Sequence, residues 1–184
     1  MSPSSHFIMS WLSSNLIKGR VRERRIITIS GIAPDIDGVG LLIDPILRMA
    51  GHSSNLWGEW HHSLHNLGFC LFVTCIAYIT ASINKFKVAC MAFLLFHLHL
   101  VCDLIGSKGP DGYQWPLSYL SPFSEVVTLS WKYQWELNAW PNIAIALVLY
   151  LVMFRCIKYK KRSPFEIMSK KADDAFFRIF DRFK

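Results

Sequence analysis

The chain has 184 residues, of which 52% are hydrophobic, and a formal net charge of +7. A soluble domain would spread its apolar residues at amphipathic spacing, but here they fall into uncharged blocks at 67–83, 88–101 and 142–154. Each block is near or below the roughly 20 residues that cross a bilayer, so a compact soluble helical protein is the alternative. Three such blocks with basic flanks favour an all-α, polytopic integral membrane protein with about three to four membrane-embedded helices. A nucleic-acid binder is disfavoured, because Lys and Arg bracket the blocks instead of gathering on one soluble face.

The N-terminal third of the chain carries two carboxylates next to a short apolar segment. A helix is expected from His6 to Ile17, without a secretory signal. Residues 26–34 are too short to span a membrane, so we expect a partial or re-entrant segment that delivers Asp35 and Asp37. As an alternative, an Asp after Pro is a good turn or cap residue. Two carboxylates close to a membrane, however, are costly unless they are paired or bind metal.

Histidines cluster at the ends of the first two apolar blocks. His61, His62 and His65 precede the first block, while His99 and Asp103 close the second. His99 and Asp103 are four residues apart, so they share one face of a predicted helix. If the two blocks form a hairpin, both groups meet at the same membrane face. Imidazoles and carboxylates brought together are the ligands of zinc or another divalent ion.

Basic residues predict the topology. Lys85 and Lys87 lie between the first two blocks, and Arg155–Arg162 follows the third, so both segments are expected to be cytoplasmic and Trp115 to face outward. Residues 106–141 are rich in Trp and Tyr and are expected to form a cap at the membrane surface over the metal site. Residues 163–184 have the spacing of a cytoplasmic amphipathic tail.

The order of these motifs resembles the predicted membrane-bound metal-dependent hydrolases of bacterial and archaeal inner membranes. The resemblance covers most of residues 3–125 and rests on the following elements: an early His6, the turn Pro34-Asp35-Ile36-Asp37, the pair His65-Asn66, the His99/Asp103 helix, the run Gly112–Leu117 and Pro122-Phe123-Ser124. The two histidines of the family's middle motif are usually five apart, whereas His61 and His62 stand four and three residues before His65. Which of these two binds metal therefore stays open.

The resemblance implies a multi-pass inner-membrane hydrolase over residues 1–162, followed by the tail. The expected ion is Zn, bound as one or more divalent ions, and the expected ligands are Asp35, His65, His99, Asp103, one of His61 and His62, and in the family also His6. A metal-activated water would attack a phosphate ester or a lipid-type substrate, with Asp37 as general base or bridging ligand. A lipid or lipid-linked phosphate at the bilayer is the expected partner, and nucleic acid is not.

A non-enzymatic membrane protein, with a structural metal site or a role in metal or proton transport, is the alternative class. Two further histidines are not expected to bind metal: His52 lies in a polar loop, and His97 points to another side of its helix. The five cysteines show no paired spacing and are expected to be small core residues.

Overall fold

The computed structural model describes residues 1–61, 63–109, 112–124 and 126–183, and in these ranges the chain is helical without a β-strand. The described residues form eight α-helices: α1 (Pro3–Ser14), α2 (Val21–Ile32), α3 (Gly40–Met49), α4 (Leu56–Trp60), α5 (Leu67–Thr80), α6 (Lys85–Gly106), α7 (Trp140–Lys160) and α8 (Lys170–Phe180). Short 3-10 helices lie at Ala33–Val39, Pro164–Ile167 and Asp181–Phe183. The predicted all-α class is confirmed.

Three helical stretches are long and apolar enough to cross a membrane, which confirms a polytopic membrane fold. They are Val21–Met49, Lys85–Gly106 and Trp140–Lys160. Helix α5 has only 14 residues, and at 1.5 Å per residue its length of about 21 Å falls short of a hydrocarbon core of about 30 Å. Large apolar side chains on α7, such as Leu147 and Leu151, are exposed, as expected for a helix in contact with lipid.

The expectation of a re-entrant segment at residues 26–34 is wrong. Helix α2 passes without a break into the 3-10 helix Ala33–Val39 and then into α3, so Val21–Met49 is a continuous helical run of 29 residues. Pro34 does not end this run, because it occupies the first turn of the 3-10 helix, where a missing N–H costs nothing. Asp35 and Asp37 therefore project from a helix within a candidate span, not from a loop.

Helix α2 lies at the centre of the fold. It packs against α1 and α6, while α5 packs along α6 and α7 contacts α1. Gly31 permits the close approach of α1 and α2, since a Cβ at this position would lie 2.1 Å from Ser10 Oγ. The predicted hairpin of the first two apolar blocks is formed by the adjacent antiparallel helices α5 and α6.

Most basic residues lie at one end of the helices, formed by the start of α2, the loop between α5 and α6, and the segment that follows α7. We call this side the basic end. Glu23 at the start of α2 accepts hydrogen bonds from the backbone N–H groups of Ser82 and Ile83, in the loop between α5 and α6. Arg24 forms a buried ion pair with Glu166, which follows α7. The start of α2, the α5–α6 loop and the end of α7 therefore share one side, as the positive-inside pattern requires.

The segments outside the spans pack onto the helices. In the segment 107–139, Gln134 donates from Nε2 to the carbonyl oxygen of Asp103 over 2.8 Å, which fixes this segment on the end of α6. In the C-terminal tail, Phe176 and Phe177 on α8 pack against a core formed with Trp11 and Ile157. The apolar side of the tail helix is thus partly covered by α1 and α7.

Candidate metal centre

Helix α6 supplies a buried His–Asp pair opposite the basic end. His99 and Asp103 lie one turn apart, with His99 Nε2 3.0 Å from Asp103 Oδ2. His99 is completely buried and Asp103 is 8% exposed. The spacing of four residues therefore places both side chains on one face, as expected from the sequence.

Two further segments bring donor atoms to this pair. His65, just before α5, places Nε2 3.5 Å from Asp103 Oδ2, and Asp35 of the 3-10 helix places Oδ1 3.5 Å from His99 Nε2. One potential ligand atom from each of Asp35, His65, His99 and Asp103 lies within 4.8 Å of the other three. Two imidazoles and two carboxylates at such separations are a donor set that could hold a divalent ion.

Hydrogen bonds at Nδ1 of His65 and His99 orient both rings so that Nε2 of each ring points into the cluster. His99 Nδ1 is 2.9 Å from the carbonyl oxygen of Gly31, which can only accept, so Nδ1 carries the proton. His65 Nδ1 is 3.0 Å from Asp37 Oδ2 and donates to that carboxylate. Carboxylate or carbonyl partners of this kind orient metal-binding histidines in known sites.

The inner atoms of the cluster are imidazole nitrogens and carboxylate oxygens, which can donate electron pairs to a metal ion. His99 Nε2 and Asp35 Oδ2 are buried and have no hydrogen-bond partner within the described chain. The 3.0 Å approach of His99 Nε2 to a carboxylate oxygen requires a positive charge between them, either a proton or a metal ion. A proton satisfies one such pair, whereas a metal ion satisfies all four ligands together.

In the absence of a metal ion, His65 itself carries positive charge. Burial disfavours the imidazolium, but hydrogen bonds to Asp103 and Asp37 outweigh it and raise the pKa of His65 to about 9. A metal ion and this proton compete for Nε2, so binding at neutral pH must release a proton.

Asp37 lies behind His65, outside the four-residue cluster. Its two carboxylate oxygens accept from the Nδ1 atoms of His65 and His61, and Oδ2 also accepts from the backbone N–H of Leu64. In a 3-10 helix, residues two apart point to different sides, so Asp35 faces the cluster while Asp37 faces the histidine segment. The structure therefore separates the two carboxylates that the sequence presents as a pair.

His61 does not reach the cluster. It follows the last residue of α4 in an extended conformation, stacks on Trp57 with ring centroids 3.7 Å apart, and contacts Asp37 Oδ1 over 3.3 Å. His61 and His65 do not lie on one helix, so a separation of four residues does not place them on the same helix face. The alternative ligand His62 lies outside the described residues.

His6 on α1 contacts the other oxygen of Asp103. Its Nε2 lies 3.0 Å from Asp103 Oδ1, and its ring stacks on that of His99 with centroids 3.7 Å apart. The two oxygens of Asp103 therefore face different histidines, His6 on one side and His65 with His99 on the other. His6 is next to the cluster but is not one of its four members.

The remaining candidates have other surroundings. His52 is exposed, as expected. His97 contacts the Tyr119 hydroxyl over 2.8 Å and the Phe93 carbonyl over 2.9 Å, away from the cluster. None of the five cysteines, all within the described ranges, forms a disulfide or belongs to the cluster.

Two supporting groups could not have been found from the sequence. The carbonyl of Gly31 that orients His99 is a backbone atom, and Gln134, which binds the carbonyl of Asp103, is far from it along the chain. No motif signals either contact.

Comparisons with known proteins do not assign the chain to a family. No protein-family model, curated protein sequence or solved structure matches it. Function must therefore be argued from the cluster itself.

Proposed function

We propose that this protein is a membrane-embedded, metal-dependent hydrolase whose centre is formed by Asp35, His65, His99 and Asp103. The observation that supports the proposal most is the convergence of these four side chains from three separate segments, with ligand atoms within 4.8 Å of one another. Buried ionisable groups within apolar helices are costly, which favours a functional reason for keeping them. The motif order that resembles membrane-bound metal-dependent hydrolases points the same way.

Each side chain has a separate task in this proposal. His65 and His99 would hold the ion through Nε2, and Asp103 would hold it through Oδ2. Asp35, whose side chain is 23% exposed, is the most accessible of the four. When bound, a divalent ion, which we take to be zinc, supplies the Lewis acidity that makes water nucleophilic near neutral pH.

Asp37 is proposed to act through His65. Both of its oxygens accept hydrogen bonds from protein groups, so in this conformation it holds the proton on His65 Nδ1 and fixes that ring. A general-base role, as expected from the sequence, would require the carboxylate to leave at least one of these partners. Replacement of Asp37 should weaken metal binding if Asp37 orients His65, and should slow turnover at full metal occupancy if Asp37 is the general base.

The substrate that suits the location is a phosphate ester of a lipid or of a lipid-linked carrier. His99 and Asp103 lie in the last two turns of α6, which is long and apolar enough to cross a membrane, so the substrate's chain could stay in the bilayer while its headgroup reaches the ion. The bacterial inner membrane is the corresponding location, by the resemblance.

A structural metal site is the second candidate, and one observation favours it. Four protein ligands complete the tetrahedral shell that structural zinc prefers, whereas catalytic zinc usually keeps one position open. In that case removal of a ligand would destabilise the fold and no residue would be needed for turnover alone.

Hydrolysis assays on the metal-loaded protein distinguish the two candidates. Purified full-length protein in detergent is tested against phospholipid and lipid-phosphate substrates, with metal content measured on the same samples. Hydrolysis by the wild type that is lost in His99→Ala supports the enzyme. A full complement of metal without hydrolysis of any phosphoester or acyl ester would favour the structural site. His52→Ala, which changes an exposed histidine outside the cluster, is the matched control.

A further inference from the structure

A cavity of about 650 Å³ opens at the basic end, on the opposite side of the helices from the candidate metal centre. It lies between the start of α2, the end of α7 and the first turns of the tail. Six basic and three acidic side chains line it together with Val21, so its wall carries a net charge of +3 at neutral pH.

Two of the three acidic side chains have partners within the protein. Glu166 receives two hydrogen bonds from the Arg24 guanidinium, at 2.8 and 2.5 Å. Asp173 accepts from the backbone N–H of Ser163 over 2.7 Å. The Arg24–Glu166 pair is neutral overall, whereas Asp173 and the third acidic residue, Asp174, keep their charges, so the remaining wall still carries a net charge of +3.

Four cations of the wall have no carboxylate partner in the described part of the chain (Arg25, Lys160, Arg162 and Lys170), and three of these come from separate segments. Arg25 donates from Nε to the backbone oxygen of Glu166 over 2.8 Å, which leaves its terminal nitrogens for another acceptor. Arg162, two residues after the end of α7, and Lys170, the first residue of α8, line the same cavity. Three cations around one cavity require an anionic ligand or remain hydrated.

An exposed apolar side chain follows the cavity along α2, on a side of the helix that is expected to face lipid. Val21 and Arg25 line the cavity, and Ile29, one further turn along the same side of α2, is 49% exposed. Val21–Met49 is long and apolar enough to span a membrane, so this side of α2 leads from the cavity towards the hydrocarbon region. A ligand with both an anionic group and an apolar chain fits this combination better than a free anion does.

We propose that this cavity binds the headgroup of an anionic phospholipid, with the phosphate among Arg25, Arg162 and Lys170 and an acyl chain along Ile29. Basic pockets next to membrane helices at the cytoplasmic face bind anionic lipids in this manner. The lipid would join α2, the segment that follows α7, and the tail helix α8, because each contributes one of the three cations. This site is independent of the candidate metal centre and of the proposed hydrolase activity.

Lipid titration of the full-length protein tests the proposal. Short-chain phosphatidylglycerol is titrated into the detergent-solubilised protein, and bound lipid is counted by native mass spectrometry. Phosphatidylcholine of the same chain length is titrated in parallel, and inorganic phosphate is titrated as a competitor of bound phosphatidylglycerol. The test variant carries Arg25→Gln, Arg162→Gln and Lys170→Gln. The matched control is Arg22→Gln, which removes an exposed charge from the same helix at a position that does not line the cavity.

We expect one phosphatidylglycerol to bind with defined affinity to the wild type and to Arg22→Gln. The triple variant should lose affinity by about fivefold per charge, or on the order of a hundredfold. If the triple variant does not fold, as judged by its unfolding temperature in neutral detergent, the exposed single change Lys170→Glu replaces it and should lower the affinity at least tenfold.

Three results would overturn the proposal. Equal affinity for phosphatidylcholine would remove the role of the anionic headgroup. Competition by inorganic phosphate at the same concentration as the lipid would make the cavity a site for a soluble anion. Equal losses in the triple variant and in Arg22→Gln would reduce the effect to the general charge of the basic end.

Discussion

Replacement of Asp103 by Asn is the perturbation that bears most directly on the four-residue cluster. Asp103 Oδ2 lies 3.0 Å from His99 Nε2 and 3.5 Å from His65 Nε2, so this oxygen is central to the donor set. An Asn side chain has the same shape, but its amide nitrogen can donate to His99 Nε2 and occupy the place of the ion. We therefore expect Asp103→Asn to keep the metal-free fold and to lose metal binding.

The size of the effect follows from linkage between binding and unfolding. Loss of a group that only orients a ligand lowers metal affinity about 10- to 100-fold, so loss of a direct ligand should reach at least about 100-fold. At a free metal concentration of about 100 Kd, a bound ion stabilises the wild type by about 2.7 kcal/mol. The same free metal concentration would stabilise Asp103→Asn by only about 0.4 kcal/mol, because it would equal the Kd of this variant. For a chain of this size the difference corresponds to a metal-dependent rise in unfolding temperature that is smaller by about 5–9 °C.

The assay compares unfolding temperatures with and without added Zn²⁺ for the wild type, Asp103→Asn and His52→Ala in one detergent. We expect the rise in the wild type and in His52→Ala, and little rise in Asp103→Asn. Equal metal-dependent stabilisation of all three proteins would refute the assignment of Asp103 as a ligand. Unfolding of Asp103→Asn without metal would instead show a structural need for the carboxylate, and His99→Ala would then provide the test.

Three further predictions concern orientation, proton linkage and Asp37. Single cysteines at Phe86 and Phe123, introduced after replacement of the native thiols, should be labelled from opposite sides of the membrane, because the basic end is expected to be cytoplasmic; labelling from one side would exclude this topology. Because the pKa of His65 is raised to about 9 in the folded metal-free protein, protonation of His65 adds to the free energy of unfolding below about pH 6.5, and this contribution is lost as the pH rises towards 9. Metal affinity should rise by up to about tenfold per pH unit over the same window, because the proton competes with the ion. Unfolding and metal titrations between about pH 6 and 9.5 measure the two opposite trends, and a pH-independent metal affinity would contradict the prediction. Asp37→Asn should lower metal affinity about 10- to 100-fold if Asp37 orients His65, while loss of turnover by about a hundredfold or more at full metal occupancy would support the general-base role.

The sequence predicts the parts of this structure that depend on local spacing. Uncharged apolar blocks indicate α5, α6 and α7, because a helix in a bilayer needs an extended run of apolar side chains. The four-residue separation of His99 and Asp103 places them on one face of α6, because both lie within a single unbroken helix. Asp35 and His65, which the sequence also offers as ligands, lie beside this pair in the structure, and their binding of metal stays a prediction.

Other features depend on contacts that spacing does not encode. His61 and His65 have helical spacing, but α4 ends at Trp60 and α5 begins at Leu67, so the two rings are positioned by Asp37 instead. The apolar segment before Pro34 is too short to span a membrane by itself. The 3-10 helix that follows continues the helical run, but its Pro, Asp and Gly residues are typical of a turn, so the sequence does not indicate the continuation. The orientation of His99 depends on the carbonyl of Gly31, and a backbone atom leaves no trace in the sequence.

Metal content and coordination of the purified wild-type protein test the central claim most directly. Elemental analysis combined with X-ray absorption spectroscopy reports how many ions are bound and which atoms surround them. The cluster of Asp35, His65, His99 and Asp103 predicts at least one divalent ion per chain, with nitrogen and oxygen neighbours that include two imidazoles and no sulfur. Protein that stays metal-free in the presence of excess Zn²⁺, or a spectrum dominated by sulfur from the cysteines, would contradict the account.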